Sequence, residues 1–113
     1  MRADRDWIED IHEHIGKVSE RAPADQRAFE FDELLQVWVL YHLSVVGEAA
    51  RNVSEEFRDS HPEVRWSKMV GLRNRITHGY FDIDMDVIWN VIEYDIPELG
   101  SQIAAILEGD NDA

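Results

Sequence analysis

Apolar residues recur along this chain at three- and four-residue spacings and almost nowhere in strict alternation, which predicts helices throughout and no strands. Trp7, Ile8, Ile11, Ile15 and Val18 share one face and predict a helix over 4–21, closed before Pro23. From Asp32 to Phe57 the run Leu34, Leu35, Trp38, Val39, Val45, Val46, Ala49, Ala50 and Val53 predicts a longer helix. Its middle, VWVLYHLSVV, is apolar nearly all round, as in a helix that is central or lies between subunits. Asp59-Ser60-His61-Pro62 breaks the pattern, and Trp66, Met69, Val70, Leu72 and Ile76 begin a third helix. Asp82 or Asp84 can cap a fourth, whose face is Val87, Ile88, Val91 and Ile92. Pro97 kinks or restarts it, and Leu99, Ile103, Ile106 and Leu107 complete a last segment. The expectation is an all-α, up-and-down bundle of four to five helices, forming a single domain over 1–113.

Composition narrows the possible functions. With no Cys among 113 residues, disulfide scaffolds, thiol nucleophiles and cysteine-rich zinc sites are excluded, and a reducing compartment, the cytoplasm, is expected. No apolar run approaches the ~20 residues of a spanning helix, so no membrane association is expected. The net charge of −13 argues against a broad nucleic-acid coat, but the charges are segregated. Residues 1–50 carry 5 basic and 11 acidic side chains, 51–78 carry 6 and 4, and 79–113 carry none and 9. From Val64 to His78 there is no acid, while Arg65, Lys68, Arg73 and Arg75 make a cationic island able to hold a phosphate.

Within the island lies Gly71-Leu72-Arg73-Asn74-Arg75-Ile76-Thr77-His78-Gly79-Tyr80. At about 100° per residue, Arg73 and Tyr80 nearly superpose, and Asn74 and His78 form an i,i+4 pair within the same half of the circumference. A planar cation, an amide, an imidazole and a phenol gathered there can grip a phosphate and move a proton beside it. That is the equipment for cutting RNA: a 2′-hydroxyl loses a proton, a leaving 5′-oxygen gains one, and the charge on the phosphorane is stabilised. A solvated helix face with a chance pairing would show the same residues.

The segment resembles the Arg-x4-His-x-Tyr motif of the HEPN superfamily, in its HepT-like toxin branch. Val46-Gly47-Glu48-Ala49-Ala50, His61-Pro62-Glu63 with Trp66, and Phe81-Asp82-Ile83-Asp84 through Val87 and Trp89 to Asp95-Ile96-Pro97 resemble the family's flanking helices, so the likeness spans about 4–107. The resemblance implies a homodimeric endoribonuclease, the Arg and His pairs of both protomers meeting in one cleft. It implies cleavage of RNA, transfer RNA among the candidates, without metal or other cofactor, to leave a cyclic phosphate. It also implies a toxin whose antitoxin partner is a minimal nucleotidyltransferase of the MNT type. That partner would silence the toxin by moving AMP onto the motif tyrosine, here Tyr80. Arg73 and His78 are the expected catalytic pair, with Asn74, Arg75, Glu48 and Lys68 as supporting or RNA-binding residues. Two features depart from the family: the apolar, aromatic stretch Val37–Tyr41, and the charge of −13. Trp38 and Tyr41 either fill the monomer's core or line a dimer interface.

Other chemistry is weaker. Asp82, Asp84, Asp86 and Glu93 match calcium-loop offsets, but Val87 stands where the loop needs glycine, and capping is the expected role. His12 and His14 point to different helix faces and are expected in solvent; His42 is expected to be a satisfied interior histidine. Glu48 either reaches Arg73 or Arg75 and orients it or is a surface charge. Two rival readings stand beside the ribonuclease: a non-catalytic helical scaffold for a nucleotidyltransferase, and a module binding a nucleotide through the basic island.

Overall fold

The computed structural model describes residues 2–79 and 82–112, and its architecture follows from how each amphipathic stripe is covered. Helix α1 (Asp4–Arg21) turns Ile8, Ile11, Ile15 and Val18 inward, and all four are buried. Its first turn is closed by Asp6, which accepts from the Ala3 N–H at 3.0 Å. Helix α3 (Glu33–Asn52) opens on Asp32, whose carboxylate accepts from the Leu35 N–H at 3.0 Å, and buries Val39, Leu40, Leu43, Val46, Ala49 and Ala50. It is the central helix, packed against α1 on one side and against α5 (Trp66–Gly79) on the other. Helix α7 (Ile96–Asp112) lies on α1 and closes the core with Ile96, Leu99, Ile103 and Ile106. Four long helical stretches therefore form the bundle, and no strand occurs among the described residues.

Short elements refine the expected pattern. A five-residue helix, α2 (Gln26–Glu30), is capped by Asp25, which accepts from the Ala28 N–H at 2.8 Å. It drives Phe29 into full burial, 6.0 Å from the Trp89 ring. Periodicity does not reveal a helix of this length. The helix expected over 32–57 ends at Asn52: Val53 is extended, and Ser54 caps a separate α4 (Glu55–Ser60). The break is set by a distant partner, since Asp4 accepts from the Ser54 N–H at 2.8 Å and from its hydroxyl at 2.7 Å.

Asp84, as expected of it or Asp82, caps α6 (Met85–Asn90) by accepting from the Asp86 N–H. Between α6 and α7 the chain makes a π-helical turn, Val91–Asp95, in which the Ile96 N–H reaches back to the Val91 carbonyl. Pro97 follows at once. It has no N–H to donate, and its ring crowds the carbonyl four residues back in a regular helix. The wider turn accommodates the proline, and helical structure runs from α6 through the π-turn into α7 without an intervening loop. Among the described residues, no helix is long and apolar enough to cross a membrane.

Candidate functional site

Helix α5 carries the motif, and its packing assigns a role to each face. Met69 and Ile76 are buried against α3. Arg73 stands at the edge of that contact, its side chain about a quarter exposed (24%). Its Nε lies 3.3 Å from Glu48 Oε2 on α3, and its Nη1 donates to Asn74 Oδ1 at 3.1 Å. Glu48 Oε2 is shut off from solvent and makes no hydrogen bond, and the Arg73 guanidinium is the cation beside that oxygen. The other oxygen, Oε1, accepts from Arg51 at 3.4 Å and from Asn52 at 3.3 Å. Of the alternatives open for Glu48, the structure selects contact with Arg73.

Asn74, Arg75 and His78 are exposed. Among the described residues, His78 and Arg75 have no ion-pair or hydrogen-bonding side-chain partner. Two sides of the Arg73 fork are occupied, Nε and Nη1, and among the described residues Nη2 has no hydrogen-bonding or ion-pair partner. The result is an immobilised cation on the same helix as an unengaged imidazole five residues on. Chemically, that arrangement can hold a phosphoryl oxygen and exchange a proton close by. Tyr80, the fourth member of the sequence constellation, lies outside the described residues.

The other cations of the island have different surroundings. Lys68 Nζ on α5 lies 2.8 Å from Asp95 in the π-turn, and Arg65, just before α5, lies 3.4 Å from Glu98 on α7. Beneath these bridges runs a groove of about 470 Å³ with an apolar floor including Leu43, Val46, Leu72, Val91 and Leu99, and Arg75 at its edge. The acid-free stretch 64–78 thus meets part of the cation-free tail. That complementarity is present in the charge distribution along the chain.

Histidine placement brings one correction. His14 is not in solvent: it is half-buried, with Nδ1 2.8 Å from Nδ1 of the buried His42. The reason is helical phase, since His14 follows Ile11 by three residues and precedes Val18 by four on the inward face of α1. One imidazole must donate and the other accept. Burial, followed by the nearby His14 and Lys17, pushes the His42 pKa below its ordinary value, with Glu13 opposing. Trp38 and Tyr41 also part company. Trp38 packs 4.2 Å from the His42 ring, half-buried, whereas Tyr41 is 59% exposed. Leu34, Tyr41 and Glu48 fall at seven-residue steps, so an exposed apolar stripe runs along α3 toward the Arg73 contact.

Comparison with known proteins bears on this arrangement. The sequence model of a family described as ribonuclease HepT-like matches residues 11–106. A protein from Thermococcus cleftensis named probable ribonuclease HepT is 34% identical over 99 residues, covering 87% of this chain and 90% of that protein. A protein named as an RNase from Methanocaldococcus jannaschii is 32% identical, covering 88% and 93%. Another so named, from Caldanaerobacter subterraneus subsp. tengcongensis, is 32% identical, covering 96% and 97%. No solved structure matches at a significant level.

Proposed function

Because the chain belongs to the ribonuclease HepT-like family, we propose that it is an endoribonuclease that cuts RNA by internal transesterification at Arg73 and His78. The 2′-oxygen attacks the adjacent phosphorus as it gives up its proton, and the 5′-oxygen leaves as it gains one. The products are a 2′,3′-cyclic phosphate and a 5′-hydroxyl. Arg73 faces the charge that grows on the phosphorane, and His78 performs one of the two proton transfers. Asn74 holds the guanidinium in place, Arg75 and Lys68 contact flanking phosphates, and no step calls for a metal or organic cofactor.

The observation that carries this reading is the Arg73 guanidinium, held by Glu48 and Asn74, on the same helix as His78, which like Arg73 Nη2 has no partner among the described residues. A homodimer fits the exposed stripe of α3. Two copies joined along Leu34 and Tyr41 would bring both sites toward one cleft, and the second copy would supply the second imidazole. In the cell, the partner would be a cytoplasmic nucleotidyltransferase antitoxin. The Tyr80 phenol would attack the α-phosphorus of ATP, lose its proton and release pyrophosphate, adding an anionic nucleotide two residues past His78 in the chain.

The test is RNA cleavage by purified protein, shown by intact mass to carry no AMP, beside the Arg73→Ala/His78→Ala double variant. Cleavage of transfer RNA or total RNA that disappears in the variant supports the proposal, and equal cleavage by both proteins refutes it. The exposed α3 stripe also favours a second reading, a non-catalytic scaffold that docks a nucleotidyltransferase. Tight complex formation with no cleavage by the unmodified dimer would select it.

A further inference from the structure

We propose that Gly47 is a positioning residue for Arg73, a notch in α3 that seats the arginine stem so that its guanidinium reaches Glu48. The proposal deepens the ribonuclease reading and rests on it for its kinetic consequence. Its geometric part stands independently.

Gly47 is buried where α3 and α5 cross. A Cβ built on it would overlap Arg73 Cβ and lie 2.6 Å from the Met69 carbonyl oxygen and 3.1 Å from Arg73 Cγ. Two of these neighbours, a backbone oxygen and a Cβ, move only with the helix that carries them. To restore the 3.4 Å of an ordinary contact, α5 must back away from α3 by roughly 1 Å. The adjoining residue on α3 is Glu48, whose solvent-shielded Oε2 lies 3.3 Å from Arg73 Nε. One dipeptide therefore sets both the depth of the arginine stem and the direction of its head. The glycine's role here is close approach, since none of the described glycines has a positive φ. Neighbouring glycines show the contrast: added methyls at Gly71 and Gly79 on α5 meet nothing within 4 Å.

Displacement of a transition-state contact by about 1 Å can cost on the order of 10²-fold in rate. Gly47→Ala is therefore expected to lower kcat for RNA cleavage roughly 10–100-fold. Gly71→Ala, the same methyl in open space, is expected to leave kcat within about twofold.

The decisive experiment follows the Arg73 side-chain Hε–Nε resonance by NMR in wild type, Gly47→Ala, Gly71→Ala and Glu48→Gln, and measures kcat for each with and without Arg73→Ala. The proposal expects the Gly47→Ala resonance to move toward its position in Glu48→Gln, and a smaller loss of rate when Gly47→Ala is added to Arg73→Ala than when it is made in wild type. A folded Gly47→Ala protein with an unmoved resonance overturns it. So does a loss of rate fully additive with Arg73→Ala. A Gly47→Ala chain that does not fold overturns it as well, because the notch would then serve the bundle rather than the arginine. If wild type cuts no RNA, the ribonuclease reading fails, while the resonance still decides whether Gly47 positions Arg73.

Discussion

Truncating Phe29 to alanine tests whether the short helix α2 is a structural part of the bundle or an ordered loop. The ring is fully buried and lies at a tilt 6.0 Å from Trp89, while Gln36 donates to the Phe29 and Glu30 carbonyls at 2.9 and 3.0 Å. Phe→Ala in a packed core costs about 3–5 kcal/mol. The lower end applies here, because α2 has only five residues and can settle partly into the space left behind. For a domain of this size, 1 kcal/mol corresponds to about 4 °C in Tm, so a fall of roughly 12 °C is expected. Far-UV circular dichroism gives the transition. Because α2 packs on α3 and α6, kcat measured well below the transition should stay within about twofold of wild type. A Tm shift under about 4 °C would show that Phe29 is not a core residue. A large loss of kcat in folded protein would show that this end of the bundle is coupled to α5.

Replacing His78 with alanine should lower RNA cleavage roughly 10²–10⁴-fold without changing the melting temperature appreciably, and full activity would remove His78 from the chemistry. For the His14–His42 pair, the lowered His42 pKa means that the unfolded chain takes up the proton first. The pair's contribution to stability is whole above 6.5, the ordinary histidine value, and is lost as pH falls through the lower folded value. His14, Lys17, Glu13 and the Trp38 and Tyr41 rings surround the group. Melting curves between pH 7.5 and 5.5, about one unit either side of that value, should slope downward in wild type and flatten in His42→Phe. Equal slopes would place the effect elsewhere. The double variant Leu34→Glu/Tyr41→Glu should sediment as a monomer under conditions where wild type is a dimer, and an unchanged dimer would move the interface off α3.

The sequence was most legible where one helix face meets one core. Helix α1 falls on the expected residues because Ile8, Ile11, Ile15 and Val18 repeat without interruption and Pro23 stands just beyond. Helix α2 was hidden because one buried residue, Phe29, makes no period, and only the capping Asp25 marks it. At the end of α3 the apolar rhythm runs past the true boundary, since the break depends on Asp4, fifty residues earlier than Ser54. The site divides the same way. The shared face of Arg73, Asn74 and His78 can be derived from spacing within one helix. That Glu48 faces Arg73 rather than Arg75, and that Lys68 and Arg65 are paired with Asp95 and Glu98, depends on how helices cross.

The segregation of charge has a consequence for encounter kinetics. An RNA approaching this molecule, 45 Å along its longest axis, first meets the field of a body carrying −13, and meets the cations of α5 only within a Debye length of about 8 Å at physiological salt. Lys68 on that helix and Arg65 just before it already have acidic neighbours on the π-turn and α7. Dissolved salt therefore acts on long-range repulsion before it competes for the short-range contacts. Association should first quicken as ionic strength rises, unlike the usual weakening of nucleic-acid binding, and productive encounters should be confined to trajectories that arrive along α5.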